Sequence, residues 1–532
     1  MFPQIKPDPE SAGSPPPASR AGPPPPVLLL ILLLAAGLRF AGITFDSLWL
    51  DEGYQSVVES VGRALPDFTR QPAAAYLFRP GPPGALSEVI SRFRQVDPLC
   101  PPLYAVLLNR WMTLFGESDL ACRALSAVLS LSTLAAVYLV ARKVFDRPAA
   151  TLAVILQAVS PFDIHYAQEA RMYSLEILAS TLSCGSLIWL AAGGRPASAE
   201  RLISLAVYAG STWALINSHY TALFVVLFQG LFLTVLAVKR RDPGLFAGVA
   251  AAWLGVLLAW LPWLHLFRQA AAARTASFYV ARAASWWWPF WALLVRVPFN
   301  WIVFLSGNQV VAYAAPLYAT SAFFLAAAAR GRRGDTAGDG RPACRWPAAA
   351  VFVWAWAIVP PLFVWLLDVK EGHRVVEISR YLVATAPAVY ILAGRGASLL
   401  IARRRLVILL VAHVFFALLN TAYAHVVPHR EPWRQMAALV DGLVAPSELV
   451  LVAQPYDIVC LDRYLSRPKL QVGVTPGQGR RGIEQAVGGR AGFWLVTAQE
   501  GEAVKDLIPE RYRIERQIDL HHGLHLRLYR QR

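Results

Sequence analysis

"SPFDIHYAQEARMYSLEIL", residues 160–178, sets an aspartate, a histidine, two glutamates, an arginine and two tyrosines between apolar runs of membrane-spanning character. Charge at membrane depth is expensive, so its concentration at one boundary points to function rather than to packing. The runs around it set the class. Of 532 residues, 56% are hydrophobic and 16% charged, with a mean hydropathy of +0.43, which is more apolar content than one soluble core needs. Stretches such as "VLLLILLLAAGL" and "RALSAVLSLSTLAAVYLVA" approach the ~20 residues needed to cross hydrocarbon. The chain reads as a polytopic α-helical membrane protein.

The net charge of +16 does not point to nucleic acid, because the basic residues fall in short clusters between apolar runs. Clusters at 142–147, 195–201, 239–241, 330–345 and 395–405 occupy every second loop, which places those loops in the cytoplasm and the intervening ones outside. The expectation is about eleven spans, an inner amino terminus and an outer carboxyl terminus. Residues 1–26 are proline-rich and read as a disordered cytoplasmic tail, and the first apolar run reads as a retained anchor. Residues 27–424 form the membrane domain. Within it, 45–119 is a first long outer segment with an interfacial helix, and 268–310 a second one whose tryptophans suit the interface.

From 425 to 532 the hydrophobic runs shorten to strand length and alternate with helical patterns, the signature of a small extracytoplasmic α/β domain. It carries no glycine-rich phosphate fingerprint. The five cysteines show no metal-ligand spacing, although Cys100 and Cys460 both fall on outer segments where they could pair.

The candidate chemistry gathers at outer span ends. Asp51 and Glu52 stand in "LWLDEGYQS" after the first span, and acids wedged among large apolar groups must be paired or have raised pKa values. Asp97 precedes the diproline of "QVDPLCPPLYAVL". The opening stretch supplies His165, Gln168, Glu169, Arg171 and Tyr173; a helix continuous from Ala167 would put Glu169, Tyr173 and Glu176 on one face. "NSHYTALF" brings His219 and Tyr220, and "EISRYLVATAP" brings Arg380 and Tyr381. Acids and cations at the headgroup plane suit a lipid-linked phosphate donor, with one carboxylate base and arginines to hold the phosphate.

In this order and spacing, "LWLDEGYQS", "DPLCPPLYAVLLNRWMTLFGESDLACRALSA", the opening stretch, "NSHYTALF" and "ISRYLVATAP" resemble bacterial relatives of protein O-mannosyltransferases and lipid A aminoarabinose transferases, integral membrane glycosyltransferases of the C-type fold. The resemblance covers most of residues 45–400. It implies a polyprenyl-phosphate sugar donor, inverting transfer on the outer face of the plasma membrane, and a catalytic aspartate at Asp51 with Glu52 beside it. The acceptor is not readable from the sequence; a protein hydroxyl, a lipid and a polysaccharide all stay open. The family's second acidic position maps onto Asp97, but Cys100 stands where its histidine would be. Some members hold a divalent metal near the acidic loop residues, for which Asp51 and Asp97 are the candidates here. Glu169, Arg171, Tyr173 and Arg380 map near the donor phosphate. A transporter or flippase of lipid-linked sugars is the alternative. It would put charge near the bilayer midplane and show repeated halves, and neither is visible.

Overall fold

The computed structural model describes residues 26–70, 73–96, 100–192, 198–240, 243–273, 287–307, 314–330, 347–401 and 407–532. The proline-rich tail up to residue 25, Asp97 and Cys344 lie outside the described residues. Seven described helices are long and apolar enough to cross a membrane, and Pro26–Phe40, Arg147–Val159 and Tyr220–Leu236 are shorter apolar helices. The chain is a multi-pass membrane protein.

Burial sorts these helices into centre and rim. Tyr173–Ala191 and Ser379–Ile401 are 83% buried inside the bundle, against 17% for Phe246–His265 and 22% for Val407–Ala424, whose apolar side chains face outward as lipid-facing surface does. Small residues bring the central helices together. A Cβ on Gly394 would strike the backbone of Ala153, and one on Gly396 would strike the Phe324 carbonyl, so Ala386–Ile401 packs closely on Arg147–Val159 and Ala314–Arg330. Trp288–Ser306 has the composition of a span, yet both its ends are fastened near the same end of the bundle. Trp288 Nε1 donates to Glu377 Oε1 at 2.5 Å, and the Ser306 carbonyl accepts from Asn420 Nδ2 at 2.9 Å near the end of Val407–Ala424.

Four helices are tied together through one buried ion pair. Arg39, fully buried, meets Asp163 at 2.5 Å, and that carboxylate also accepts from Ser130 Oγ at 2.8 Å and Gln157 Nε2 at 3.2 Å. A charge here is tolerated because its partners leave little of it unsatisfied.

The carboxyl-terminal domain is a six-stranded mixed sheet, ordered β1-β3-β2-β4-β6-β5, with β1 Ala74–Tyr76, β2 Leu449–Ala453, β3 Lys469–Val474, β4 Gly492–Thr497, β5 Tyr512–Asp519 and β6 His525–Gln531. β2 is central and parallel to both β3 and β4, which explains its unbroken apolar run "LVLVA". Alternate residues serve opposite faces. Val450 and Val452 pack with Trp433, Met436 and Ile458, while Leu449 and Leu451 pack with Ile483, Val487 and Val504.

Two features depart from the sequence expectation. The Asp457–Tyr464 helix is additional to the helices read from periodicity. β1 comes from the first long segment and pairs antiparallel with β3 through Ala75 and Leu470, which lie 395 positions apart. "AAY" carries no strand pattern of its own; it is recruited because β3 would otherwise expose an open edge. Cys100 and Cys460 are not bonded to one another, and Cys460 is buried under Gly53, where a Cβ would stand 3.2 Å from its sulfur.

The domain is clamped onto the bundle. Asp119, at the start of the Asp119–Val144 helix, accepts Arg434 Nη2 at 2.5 Å, Arg463 Nε at 2.7 Å and Tyr464 OH at 2.7 Å. Arg79 reaches the carbonyl oxygens of Asp462 and Leu465. Asp462 accepts the Phe78 N–H at 2.6 Å and Gln471 Nε2 at 2.8 Å, and burial pushes its carboxyl up to about 7. Because hydrogen bonds to a charged group are each worth about 1.5–3 kcal/mol, Asp119→Ala should loosen the domain. Limited proteolysis should then cut residues 425–432 at least tenfold faster than in wild type, with membrane insertion retained. Equal cleavage rates would show that the clamp carries no weight.

Candidate active site

The site forms where the first segment, the 168–172 turn and the 425–434 connection meet. After Phe40 the chain turns and enters a short helix at Leu50–Glu52 that passes into a π-helical turn over Gly53–Val58. Tyr54 and Val58 of that turn are buried in the carboxyl-terminal domain's core, which holds the neighbouring acids in place.

The two adjacent acids have opposite environments. Glu52 is fully buried: Arg123 grips it through Nε at 2.9 Å and Nη2 at 2.6 Å, Arg430 Nη1 donates to Oε2, and the Ala170 N–H donates to Oε1 at 2.7 Å. Burial alone would raise its pKa, but Arg123 and Arg430 hold it down to about 2. Asp51 leaves 20% of its side chain exposed and has Arg171 Nη2 at 4.0 Å from Oδ2, while Arg171 Nη1 donates to the Asp51 carbonyl at 3.3 Å.

The opening stretch does not form the continuous helix its spacing suggests. It is helical over Pro161–Ala167, turns over 168–172 and restarts at Tyr173. Glu169 is therefore not on one helical face with Tyr173 and Glu176. The turn is fixed from outside: Ala170 gives its N–H to Glu52, and the Arg171 N–H bonds the Glu169 carbonyl at 2.7 Å. Glu169 faces Arg430 at 3.6 Å and His165 at 3.8 Å. Burial, and after Arg430's opposing pull the charge on Glu52, raise its pKa, so two glutamates sharing Arg430 are driven apart in acidity. His165 leaves 46% of its side chain exposed; what burial it has, with the charges of Arg430 and His429, lowers its pKa.

The other expected residues gather on the Asp51 side. Arg171 lies over the Tyr173 ring at 6.0 Å, and His219 stacks on Tyr381 at 5.3 Å with Tyr173 at 6.4 Å. Arg380 lies over Tyr381 at 5.5 Å and within electrostatic reach of Asp51 and Tyr173, and its buried Nε has no hydrogen-bond partner among the described residues. Burial, Arg171 and Arg380 depress His219 to about 3. Tyr220 is turned aside, where its hydroxyl receives Trp263 Nε1 at 2.9 Å. Gln168 is spent on the end of the first helix, donating to the carbonyls of Leu38, Arg39 and Ala41. Asp97 falls outside the described residues, so its distance from Asp51 is not part of this geometry. Among the described residues no group of three or more His, Cys, Asp or Glu is arranged to hold a metal ion.

Sequence reading missed Arg123 and Arg430. Arg123 opens the apolar run "RALSAVLSLSTLAAVYLVA", whose length alone gave it a reading. Arg430 sits in "VVPHREPWR", a basic cluster at a span end expected to face outward, where lysine and arginine should be scarce; that exception was its signal.

Residues 100–265 match the family of dolichyl-phosphate-mannose-protein mannosyltransferases. No curated protein matches the chain. Among solved structures, ArnT from Cupriavidus metallidurans in the apo state is similar at 13% identity and a TM-score of 0.58, over 94% of this chain and 97% of that one. The same protein bound to undecaprenyl phosphate gives 12% identity and 0.57 over the same shares. The archaeal oligosaccharyltransferase AglB from Archaeoglobus fulgidus, in complex with an inhibitory peptide and a dolichol-phosphate, gives 12% and 0.50 over 90% and 70%. The chain therefore has the C-type glycosyltransferase fold, and its segment 100–265 is similar to the dolichyl-phosphate-mannose-protein mannosyltransferases.

Proposed function

We propose that the protein transfers a glycosyl group from a polyprenyl-phosphate sugar to an acceptor hydroxyl at the outer membrane face, with Asp51 as general base. The observation that carries this reading is the division of labour between neighbours: Glu52 is locked in a two-arginine clamp, while Asp51 stays partly open beside Arg171 and Arg380. The unsatisfied Nε of Arg380 supports an anion there. A polyprenyl donor is in keeping with the undecaprenyl phosphate bound by ArnT.

In this mechanism the acceptor oxygen attacks the anomeric carbon from the face opposite the phosphate, which inverts the centre. Its proton passes to Asp51, and the bond from the anomeric carbon to the phosphate oxygen breaks. The polyprenyl phosphate leaves with the electron pair, its charge met by Arg171 and Arg380. No strong acid is required, because phosphate is already a stabilised leaving group. Glu52 then acts as scaffold rather than as reactant. Tyr173, His219 and Tyr381 line the site, and Glu169 shapes its floor. A divalent ion would need Asp97 beside Asp51.

The test is incubation of purified protein with labelled polyprenyl-phosphate sugars and total membrane extract, following which product gains label. Transfer is expected, and Arg380→Ala should raise the donor KM about tenfold or more while the protein remains folded. Movement of labelled lipid between leaflets without product would favour a flippase instead.

A further inference from the structure

Asn300 is out of keeping with the helix that holds it. It stands in "VPFNWIVFLS", residues 297–306, where leucine would be buried at less cost, yet it is only 1% exposed and both ends of its amide are occupied. Nδ2 donates to the Val376 carbonyl at 2.9 Å, and Oδ1 accepts from Ser379 Oγ at 2.7 Å. Those two partners belong to different turns. Val375–Glu377 and Ser379–Thr385 are separate 3₁₀ turns, and Ile378 between them is extended, at φ −95° and ψ 95°. The first turn is held by Asp368, which accepts the N–H groups of Val375 and Val376 at 3.0 and 2.7 Å, and by Glu377, which receives Trp288 Nε1 and two nitrogens of Arg374. The second turn carries Arg380 directly after Ser379.

We propose that Asn300 is a positioning residue for the donor phosphate: it crosses the joint at Ile378 and thereby sets the direction of Arg380. The proposal rests on the transferase reading above and adds a residue to it. The Arg380 guanidinium lies over the ring of its own neighbour Tyr381, and its buried Nε has no hydrogen-bond partner among the described residues, so the group is aimed by the backbone that carries it. That backbone is a 3₁₀ turn, whose internal hydrogen bonds have poor geometry, so an outside brace decides where it points. Asparagine suits the task. Its amide gives to a carbonyl and takes from a hydroxyl at once, and it brings no charge to compete with the guanidinium for an anion. The firmly held first turn is thus the fixed point, and Asn300 carries that order across to the turn that meets the phosphate.

Undecaprenyl phosphate binding to the full-length protein in detergent, measured by titration calorimetry, tests this, with undecaprenol as the probe that lacks the phosphate. Arg380→Ala should weaken undecaprenyl phosphate about tenfold or more and Asn300→Leu about fivefold, the scale of losing a charge-assisted hydrogen bond and of misdirecting it. In the Arg380→Ala background Asn300→Leu should add less than about twofold, because both act through one guanidinium. Undecaprenol should bind every variant as it binds wild type. Unchanged affinity in Asn300→Leu beside a weakened Arg380→Ala, effects that multiply in the double variant, or an equal loss of undecaprenol in Asn300→Leu would each overturn the positioning role and leave the Arg380 reading standing. Unchanged affinity in Arg380→Ala removes both. If Asn300→Leu lacks a wild-type thermal transition, Ser379→Ala, which deletes only the hydroxyl given to Oδ1, takes its place in the same cycle. A weakening of about threefold that vanishes in the Arg380→Ala background is then expected, and an unchanged affinity overturns the proposal.

Discussion

Asp51→Asn should lower the rate of sugar transfer by about 10²–10⁴-fold with the donor KM little changed, because a positioned base contributes on that order to the transition state and little to ground-state binding. The substitution keeps the side chain's shape. Asp51 is partly open and Arg171 stands 4.0 Å away, so the exchange removes a weak ion pair, worth no more than about 1 kcal/mol, and the thermal transition should barely move. Activity loss with retained fold is the result expected; wild-type turnover by this variant would remove the proposed base. Glu52→Gln is the necessary contrast, since a simple count of acids would treat the two alike.

Glu52→Gln should act on stability first. It leaves Arg123 buried and Arg430 half-matched, and breaking a buried pair from one side costs about 3–5 kcal/mol. Thermal unfolding in detergent should show a lowered transition, with any activity loss following from it. The pH dependence has a definite sign. Glu52 is held near 2 against an ordinary 4.5, so its contribution is present in full above about pH 4.5 and is lost as pH falls toward 2. Wild-type stability should therefore decline over that window, and Glu52→Gln should lack that component of the decline. An unaltered melting temperature in the variant at neutral pH would mean that the clamp is ornamental to the fold.

These two predictions separate residues that are adjacent in sequence and chemically alike, and no property of "LWLDEGYQS" separates them. The distinction comes from Arg430, which lies 378 positions away and arrives only when the carboxyl-terminal domain docks. The 168–172 turn is likewise decided by a contact distant in sequence. Its residues have helical spacing, but Glu52 takes the Ala170 N–H, and that tertiary bond is incompatible with an uninterrupted helix. β1 was invisible for a related reason. A three-residue strand with two alanines is stable only because β3 offers an open edge beside it.

Other parts were legible because their physics is local. Membrane spans follow from the length of apolar runs, since every backbone polar group in hydrocarbon must be satisfied within its own segment. The strands after residue 447 follow from period-two patterning against a two-faced core. The gathering of Arg171, Tyr173, His219, Arg380 and Tyr381 was legible too, because each lies at a span end where ionisable groups are costly unless used.

The sequence by itself thus determined the membrane class, the strand-forming character of the carboxyl-terminal domain and the set of polar residues brought to one end of the bundle, all of which depend on neighbours within a few residues. Only the tertiary structure decided which of two adjacent acids is gripped and which is open, that Arg430 bridges Glu52 and Glu169, and that the first segment completes the carboxyl-terminal sheet. Those outcomes depend on ion pairs and edge pairing across hundreds of residues, where partner and distance are fixed by packing and not by spacing along the chain.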